Sequence, residues 1–276
     1  MERLFVEPRY QPLFHELGLK SGADIIRLCN ATGTSASRNV LITSTTLARP
    51  GGDPLTVFCK QYRFARPSWR FWARPSKARR EYQNYEVFAR LGVPCAERVA
   101  CSESRDWLGR LRHAFILTRA VPNVGTLLAF VQKRHPNRDS AEARNVRDAL
   151  AGQLAEMTRR IHQAGFFHND LYWRNILVEW APGQEPTLWW IDCPRGRFGR
   201  WPGSGYRRQI KDLAALDLWA SKLCPATERL RFIKRYLGTG RLDQRGKAMV
   251  RDVVLYRRKR WPEDELPPGQ SASRPG

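Results

Sequence analysis

Hydrophobic and polar positions change rhythm part-way along the chain. Residues 23–29 (ADIIRLC) form a short apolar run and predict a strand. Residues 40–47 (VLITSTTL) are β-branched and predict a second, and residues 55–62 (LTVFCKQY) predict a third after the turn PGGDP. Between the first two, NATGTSASRN (30–39) is small and polar and predicts a turn. The result is a three-strand meander with Lys60 near its end. Residues 1–20 show no clear period and read as an irregular entry. Further strands are expected near 97–101 and 114–118.

Helical spacing takes over elsewhere. A helix is expected over about 77–91, stopped by Gly92 and Pro94. In residues 142–164, Val146, Leu150, Leu154, Met157 and Ile161 recur every three or four positions, one face of a long amphipathic helix. FFHNDLYWRNILVEW, the turn APGQEP and then TLWWID predict two short strands. Helices follow at about 209–223, 226–237 and 243–258. From Pro262 the chain is rich in Pro, Gly and Ser and is expected to be disordered. The fold class is therefore α+β: a strand-rich part over 1–119, a helical part over 120–261 and a tail over 262–276. A ligand cleft between the two parts is the expectation.

Composition narrows the class. Hydrophobic residues make up 42% and aromatics 11%, enough to exclude a disordered chain. No apolar run reaches the roughly 18 residues that cross a bilayer. Glu and Pro interrupt the first residues before a signal-peptide core can form. Six cysteines are scattered with no C-x-x-C pair, which argues for reduced packing residues rather than a zinc site or disulfide frame. A soluble, cytoplasmic protein is expected. Its net charge is +22, carried by 39 arginines and nine lysines. Arginine grips phosphate with a planar fork, so phosphorylated polyanions or an anionic membrane face are natural partners.

The chemistry-bearing residues fall in one order. His168, Asn169, Asp170 and Asn175 form H-x-D-x-x-x-x-N, and Asp192 ends the apolar run LWWI. Phosphoryl transfer from ATP needs Mg²⁺ on hard oxygen ligands, which Asn175 and Asp192 can supply from the two ends of a short hairpin. Asp170, on the loop before that hairpin, can accept a proton from an attacking hydroxyl. Lys60 can reach the α- and β-phosphates if a carboxylate holds it. Glu81 and Glu86 compete for that role, and the place of Glu81 in R-E-Y favours it. His168 reads as a packing residue that holds the loop.

Lys60, Glu81, H-x-D-x-x-x-x-N and Asp192 in this order resemble the protein-kinase-like fold, two-lobed with a β-rich N-lobe and a mainly helical C-lobe. Within it, REYQNYEVFARLGVP (80–94), HNDLYWRNILV, IDCPRG and RQIKDLAAL resemble the lipopolysaccharide core kinase (Kdo/WaaP-type) family. The resemblance covers about residues 20–260. It implies an ATP- and Mg²⁺-dependent enzyme that phosphorylates a hydroxyl of an inner-core lipopolysaccharide sugar, Kdo or heptose. It also implies that Asp212 buttresses the catalytic loop, and that the backbone of Thr118, Arg119 and Ala120 reads adenine as a hinge. The 30–39 turn has no G-x-G-x-x-G; backbone N–H groups of Gly33, Thr34 and Ser35 would cradle phosphate instead. Asn169 replaces the usual Arg before the catalytic Asp, and no A-P-E follows Asp192. Both departures speak against a phosphorylation-switched protein kinase.

Two basic stretches without an acid flank the proposed cleft, residues 63–80 and 194–208. Arg70, Arg74, Arg79, Arg195 and Arg197 are candidates to dock the phosphates and carboxylates of an anionic glycolipid. Trp69, Phe71 and Trp72 are candidates for the membrane interface, which would place the protein peripherally on the inner leaflet of the inner membrane. The rivals are a kinase of a protein or small molecule, a nucleotide-binding pseudokinase scaffold, and a nucleic-acid module. No nucleic-acid-binding motif supports the last, and nucleic acid is not expected as a partner.

Overall fold

A computed structural model describes residues 1–30, 34–37, 40–49, 51–72, 74–133, 140–181, 183–199 and 203–262. The expected disordered tail, from residue 263 on, lies outside the described residues. The chain forms two compact units. The first comprises Met1–Pro122 with Asp192–Arg195, and the second Asn123–Ile191 with Gly196–Gly276.

The first unit is built on a six-stranded sheet in the order β1-β5-β6-β4-β3-β2, every neighbouring pair antiparallel. Its strands are β1 (Glu2–Val6), β2 (Thr34–Ser37), β3 (Val40–Leu47), β4 (Leu55–Ser68), β5 (Arg98–Arg105) and β6 (Leu111–Arg119). Alternation along β4 sorts its side chains between two faces. Leu55, Val57 and Cys59 join a buried cluster with Tyr10, Leu13, Phe14, Ile25 and Cys29 from helices α1 (Gln11–Glu16) and α2 (Gly22–Cys29) and the turn before them. Lys60 and Tyr62 fall on the opposite register and meet helix α3 (Lys77–Arg90). Ser76 caps α3 by accepting from Arg79 N, and Gly92 follows with φ 63°.

Three expectations are corrected here. Residues 23–29 are helical, not a strand. Ser21 and Asp24 form a reciprocal capping box, and Ile25 and Cys29 lie four apart on the buried face. Two orphan N–H groups are thereby satisfied, at about 1 kcal/mol for such a cap. Residues 1–20 are not irregular, because Glu2–Val6 pairs with β5 as an edge strand and α1 follows. Residues 63–80 are not one basic loop. Strand β4 runs on to Ser68, so Lys60 sits in mid-strand between Ile42 and Ile116.

The second unit is mainly helical: α4 (Leu127–Lys133), α5 (Ala141–Gln163), α6 (Ser204–Leu223), α7 (Ala226–Leu237) and α8 (Gln244–Arg260). Helix α5 packs on α7, and α6 on α8. Strand β7 (Val124–Thr126) joins β9 (Ile176–Glu179) and β10 (Thr187–Trp190) in a small antiparallel sheet. A two-stranded ribbon pairs β8 (Phe166–Phe167) with β11 (Arg197–Phe198). Ala155, Ile210, Leu213, Ala214, Ile233, Tyr236 and Val253 form its buried core. The helices enclose an apolar cavity of about 360 Å³, lined among others by Leu150, Leu154, Leu216, Leu230 and Val254. Among the described residues no helix is long and apolar enough to cross a membrane.

Candidate active site

In the first unit one half-buried cation gathers two carboxylates. Lys60 Nζ lies 3.2 Å from Glu81 Oε2 and 2.5 Å from Asp192 Oδ1. Glu81, not Glu86, is the helix partner; Glu86 pairs instead with Arg90 and Arg98. Glu81 is almost wholly buried and accepts two further bonds. Tyr62 donates to Oε2 and Tyr85 to Oε1, each at 3.0 Å. The same Tyr85 hydroxyl accepts from Asp192 N at 2.9 Å. Asn84 adds a bond from Nδ2 to the Cys193 carbonyl, 2.6 Å. Helix α3 therefore holds the Asp192–Cys193 backbone while Lys60 holds its side chain. Asp192 has φ 56°, an uncommon backbone state for a non-glycine residue, and these contacts over-determine it.

The electrostatics follow from this packing. Burial works to lower the Lys60 pKa, but the Glu81 and Asp192 carboxylates outweigh it and hold the ammonium above its usual range. Burial pushes the Glu81 carboxyl up, against the pull of Lys60 and the two tyrosines. Burial also pushes the Tyr62 and Tyr85 hydroxyls well up, so both remain donors. The lysine stays charged and its partner stays fixed.

In the second unit a buried carboxylate organises the backbone. Asp212, from α6, is fully buried and accepts from His168 N and Asn169 N, both at 2.8 Å. His162 Nε2 lies 3.3 Å from the same carboxylate, and its Nδ1 lies 2.8 Å from the Tyr236 hydroxyl. Asn169 has φ 62°, and its side chain donates to the Phe167 carbonyl. A loop fixed in this way presents Asp170, which is half-buried. Asn175 Nδ2 donates to the Asp170 carbonyl at 2.9 Å, which turns the amide oxygen of Asn175 the other way. The His168 ring is buried and packs edge-on against Trp190, as a loop-holding residue should.

The expected site residues thus fall into two groups: Lys60, Glu81 and Asp192 together in the first unit, Asp170 and Asn175 together in the second. At the expected hinge two N–H groups already have partners: Arg119 N donates to Glu97 O and Ala120 N to Thr56 O, both at 2.9 Å, while Thr118 of β6 pairs with Phe58 and Arg98. Thr34 and Ser35 lie in edge strand β2, not in a turn. Gly33 and the side chains of Thr34, Ser35 and Arg70 lie outside the described residues. Arg74, Arg195 and Arg197 are exposed, whereas Arg79 is half-buried with its guanidinium 3.2 Å over the Phe5 ring. Phe71 is 7% exposed and cannot face a membrane. Tyr62, Tyr85 and His162 were not among the expected site residues. Tyr62 is two residues from Lys60 on a strand, and Tyr85 four from Glu81 on a helix, so both spacings could have found them.

The family profile described as lipopolysaccharide kinase (Kdo/WaaP) family matches residues 59–236. The chain belongs to that family. A 3-deoxy-D-manno-octulosonic acid kinase from Actinobacillus succinogenes is 30% identical over 116 residues, which is 41% of this chain and 43% of that protein. The match spans less than half the length of that curated relative. The solved structure of WaaP in complex with acyl carrier protein matches over 96% of this chain and 100% of WaaP, at TM-score 0.70 and 21% identity. The kinase domain of Mycobacterium tuberculosis PknI matches at TM-score 0.38 and 17% identity, over 76% of this chain and 72% of that domain. The fold of this Kdo/WaaP family member is α+β and matches that of the solved WaaP structure.

Proposed function

We propose that the chain is an ATP-dependent kinase that transfers the γ-phosphate to a hydroxyl of an inner-core lipopolysaccharide sugar, Kdo or heptose. The observation that carries the reading is the Lys60–Glu81–Asp192 cluster within a Kdo/WaaP family chain that also carries Asp170 and Asn175. Lys60 binds the α- and β-phosphates, and Glu81, itself gripped by Tyr62 and Tyr85, keeps its ammonium charged and aimed. The Asp170 carboxylate orients the sugar hydroxyl and takes its proton. The sugar oxygen bonds to the γ-phosphorus as the bond to the β–γ bridging oxygen breaks, and ADP leaves. Asn175 and Asp192 each carry a hard side-chain oxygen of the kind that would hold Mg²⁺. When bound, Mg²⁺ would neutralise charge on the phosphate oxygens.

Anionic acceptor groups would meet exposed arginines such as Arg74, Arg195 and Arg197. An acceptor that is a glycolipid puts the enzyme at the cytoplasmic face of the inner membrane, held peripherally. Acyl carrier protein is the partner named for the solved WaaP structure, and the apolar cavity of the second unit is the feature here that would accommodate an acyl chain.

The test is mass spectrometry of lipopolysaccharide from cells with and without the protein. Loss of one phosphate on a core sugar is expected. An unchanged core would overturn the substrate class.

A further inference from the structure

Three tryptophans of the first unit are exposed although tryptophan is costly to leave in water: Trp69 at 56%, Trp72 at 57% and Trp107 at 87%. Trp107 lies 35 positions beyond Trp72, in the tight turn between β5 and β6 that Gly109 N closes on Asp106 O. The fold brings the turn and the 69–74 segment together. Arg105 ties them, donating to the carbonyls of Phe71, Arg74 and Gly109 at 2.8–3.0 Å. The Trp72 indole covers Gly109 so closely that a Cβ there would lie 3.4 Å from its nitrogen. The Arg110 guanidinium sits 5.5 Å over the Trp69 ring.

The charge around these rings is one-sided. The two acids nearby are neutralised within the protein. Asp106 is almost buried and bonded to Arg110, and Glu103 is buried and accepts from Ser76 N. Arg74 and Arg112 stay exposed. The patch is thus aromatic and positive, with no uncompensated acid beside the rings among the described residues.

We propose that Trp69, Trp72 and Trp107, framed by Arg74 and Arg112, form a docking surface for an anionic lipid bilayer. Indole rings are suited to the headgroup level, where the ring body is apolar and the N–H stays wet. Arginines beside them add attraction to anionic headgroups, each contributing roughly a fivefold gain in partitioning. The surface deepens the reading of the chain as an enzyme of a membrane-borne acceptor. It rests on that reading for its purpose and not for its test, because vesicle binding needs neither nucleotide nor sugar.

The experiment is partitioning of the full chain onto vesicles of phosphatidylcholine with and without phosphatidylglycerol, with tryptophan quenching by brominated lipid. Binding to the anionic vesicles with quenching is expected. The triple variant Trp69→Ser, Trp72→Ser, Trp107→Ser should lose at least about tenfold in partitioning. Trp107→Ala alone should lose a few-fold and keeps the proposal testable if the triple variant fails to fold. Leu255→Ser, an exposed apolar residue of the second unit, should change nothing. Equal binding to neutral vesicles, unquenched tryptophan, or partitioning indifferent to Trp107→Ala would each overturn the proposal. So would an equal loss of binding to RNA in the triple variant, since the patch would then be a general anion surface. Vesicle binding without phosphotransfer would sink the kinase reading alone, and phosphotransfer without vesicle binding would sink this surface alone.

Discussion

Each unit sets one buried carboxylate beside its candidate site residues, and the two are bonded in opposite ways. Glu81 faces side chains: an ammonium and two phenols. Asp212 faces mainly backbone: two consecutive N–H groups of the loop that carries Asp170. A side-chain cluster can shift its charge when a phosphate arrives. A backbone clamp cannot move without unmaking the loop. The first arrangement fixes a charge that must meet a ligand, and the second fixes a conformation that must not change. The difference predicts that the first carboxylate governs rate and the second governs stability.

Breaking the clamp should give the largest effect. Asp212→Ala leaves two buried N–H groups without an acceptor and should cost about 3 kcal/mol or more, read as a large fall in the denaturant midpoint. A loss near zero would put Asp212 on a par with an ordinary surface residue. Glu81→Gln tests the other side. It removes a carboxylate that burial already opposes, so stability should move by less than about 1 kcal/mol, while phosphotransfer falls about a hundredfold because Lys60 loses its aim. A variant that unfolds but keeps its rate per folded molecule would reverse the comparison.

Tyr85→Phe sharpens it further. The hydroxyl joins Glu81 to Asp192 N, so its loss should cost about 1 kcal/mol and lower the rate more than it raises the nucleotide KM. The smallest effect concerns pH. Burial, and then Arg63, hold the His113 pKa below its usual value, so the folded state binds fewer protons than the unfolded one. Stability should fall as pH drops from 6.5 toward the lowered value and be unaffected above it. His113 is only partly buried, so the change stays below about 1 kcal/mol, and His113→Gln should flatten it.

How much of this was legible in the sequence differs by region for physical reasons. The helices of the second unit show through because their apolar faces repeat every three or four residues over many turns; α7 spans Ala226–Leu237 as expected. The motif residues were legible because they are local: Asp170 and Asn175 sit five apart, and the Asn175 side-chain amide donates to the Asp170 carbonyl. The pairing of Lys60 with Glu81 was legible in order but not in geometry. The place of Glu81 in R-E-Y favoured it over Glu86, and the helix face that α3 turns toward β4 supplies the reason. Residues 23–29 misled because adjacent isoleucines suit strand and helix alike, while the deciding signal, the Ser21–Asp24 box, lies at the edge of the run. The partners of the Arg119 and Ala120 N–H groups, Glu97 and Thr56, were not legible because they lie far away in sequence. Trp107 was invisible as a companion of Trp69 and Trp72, since only the β5–β6 hairpin brings it to them.

The proposed function has Asp170 take the proton from an acceptor hydroxyl while the chain binds ATP. The most direct measurement is transfer of radiolabelled γ-phosphate from ATP to purified inner-core lipopolysaccharide, comparing the natural chain with Asp170→Asn and recording nucleotide affinity in parallel. Transfer should fall by about a thousandfold in the variant while ATP binding is retained. Transfer undiminished in the variant, or no transfer from the natural chain that binds ATP, would contradict it.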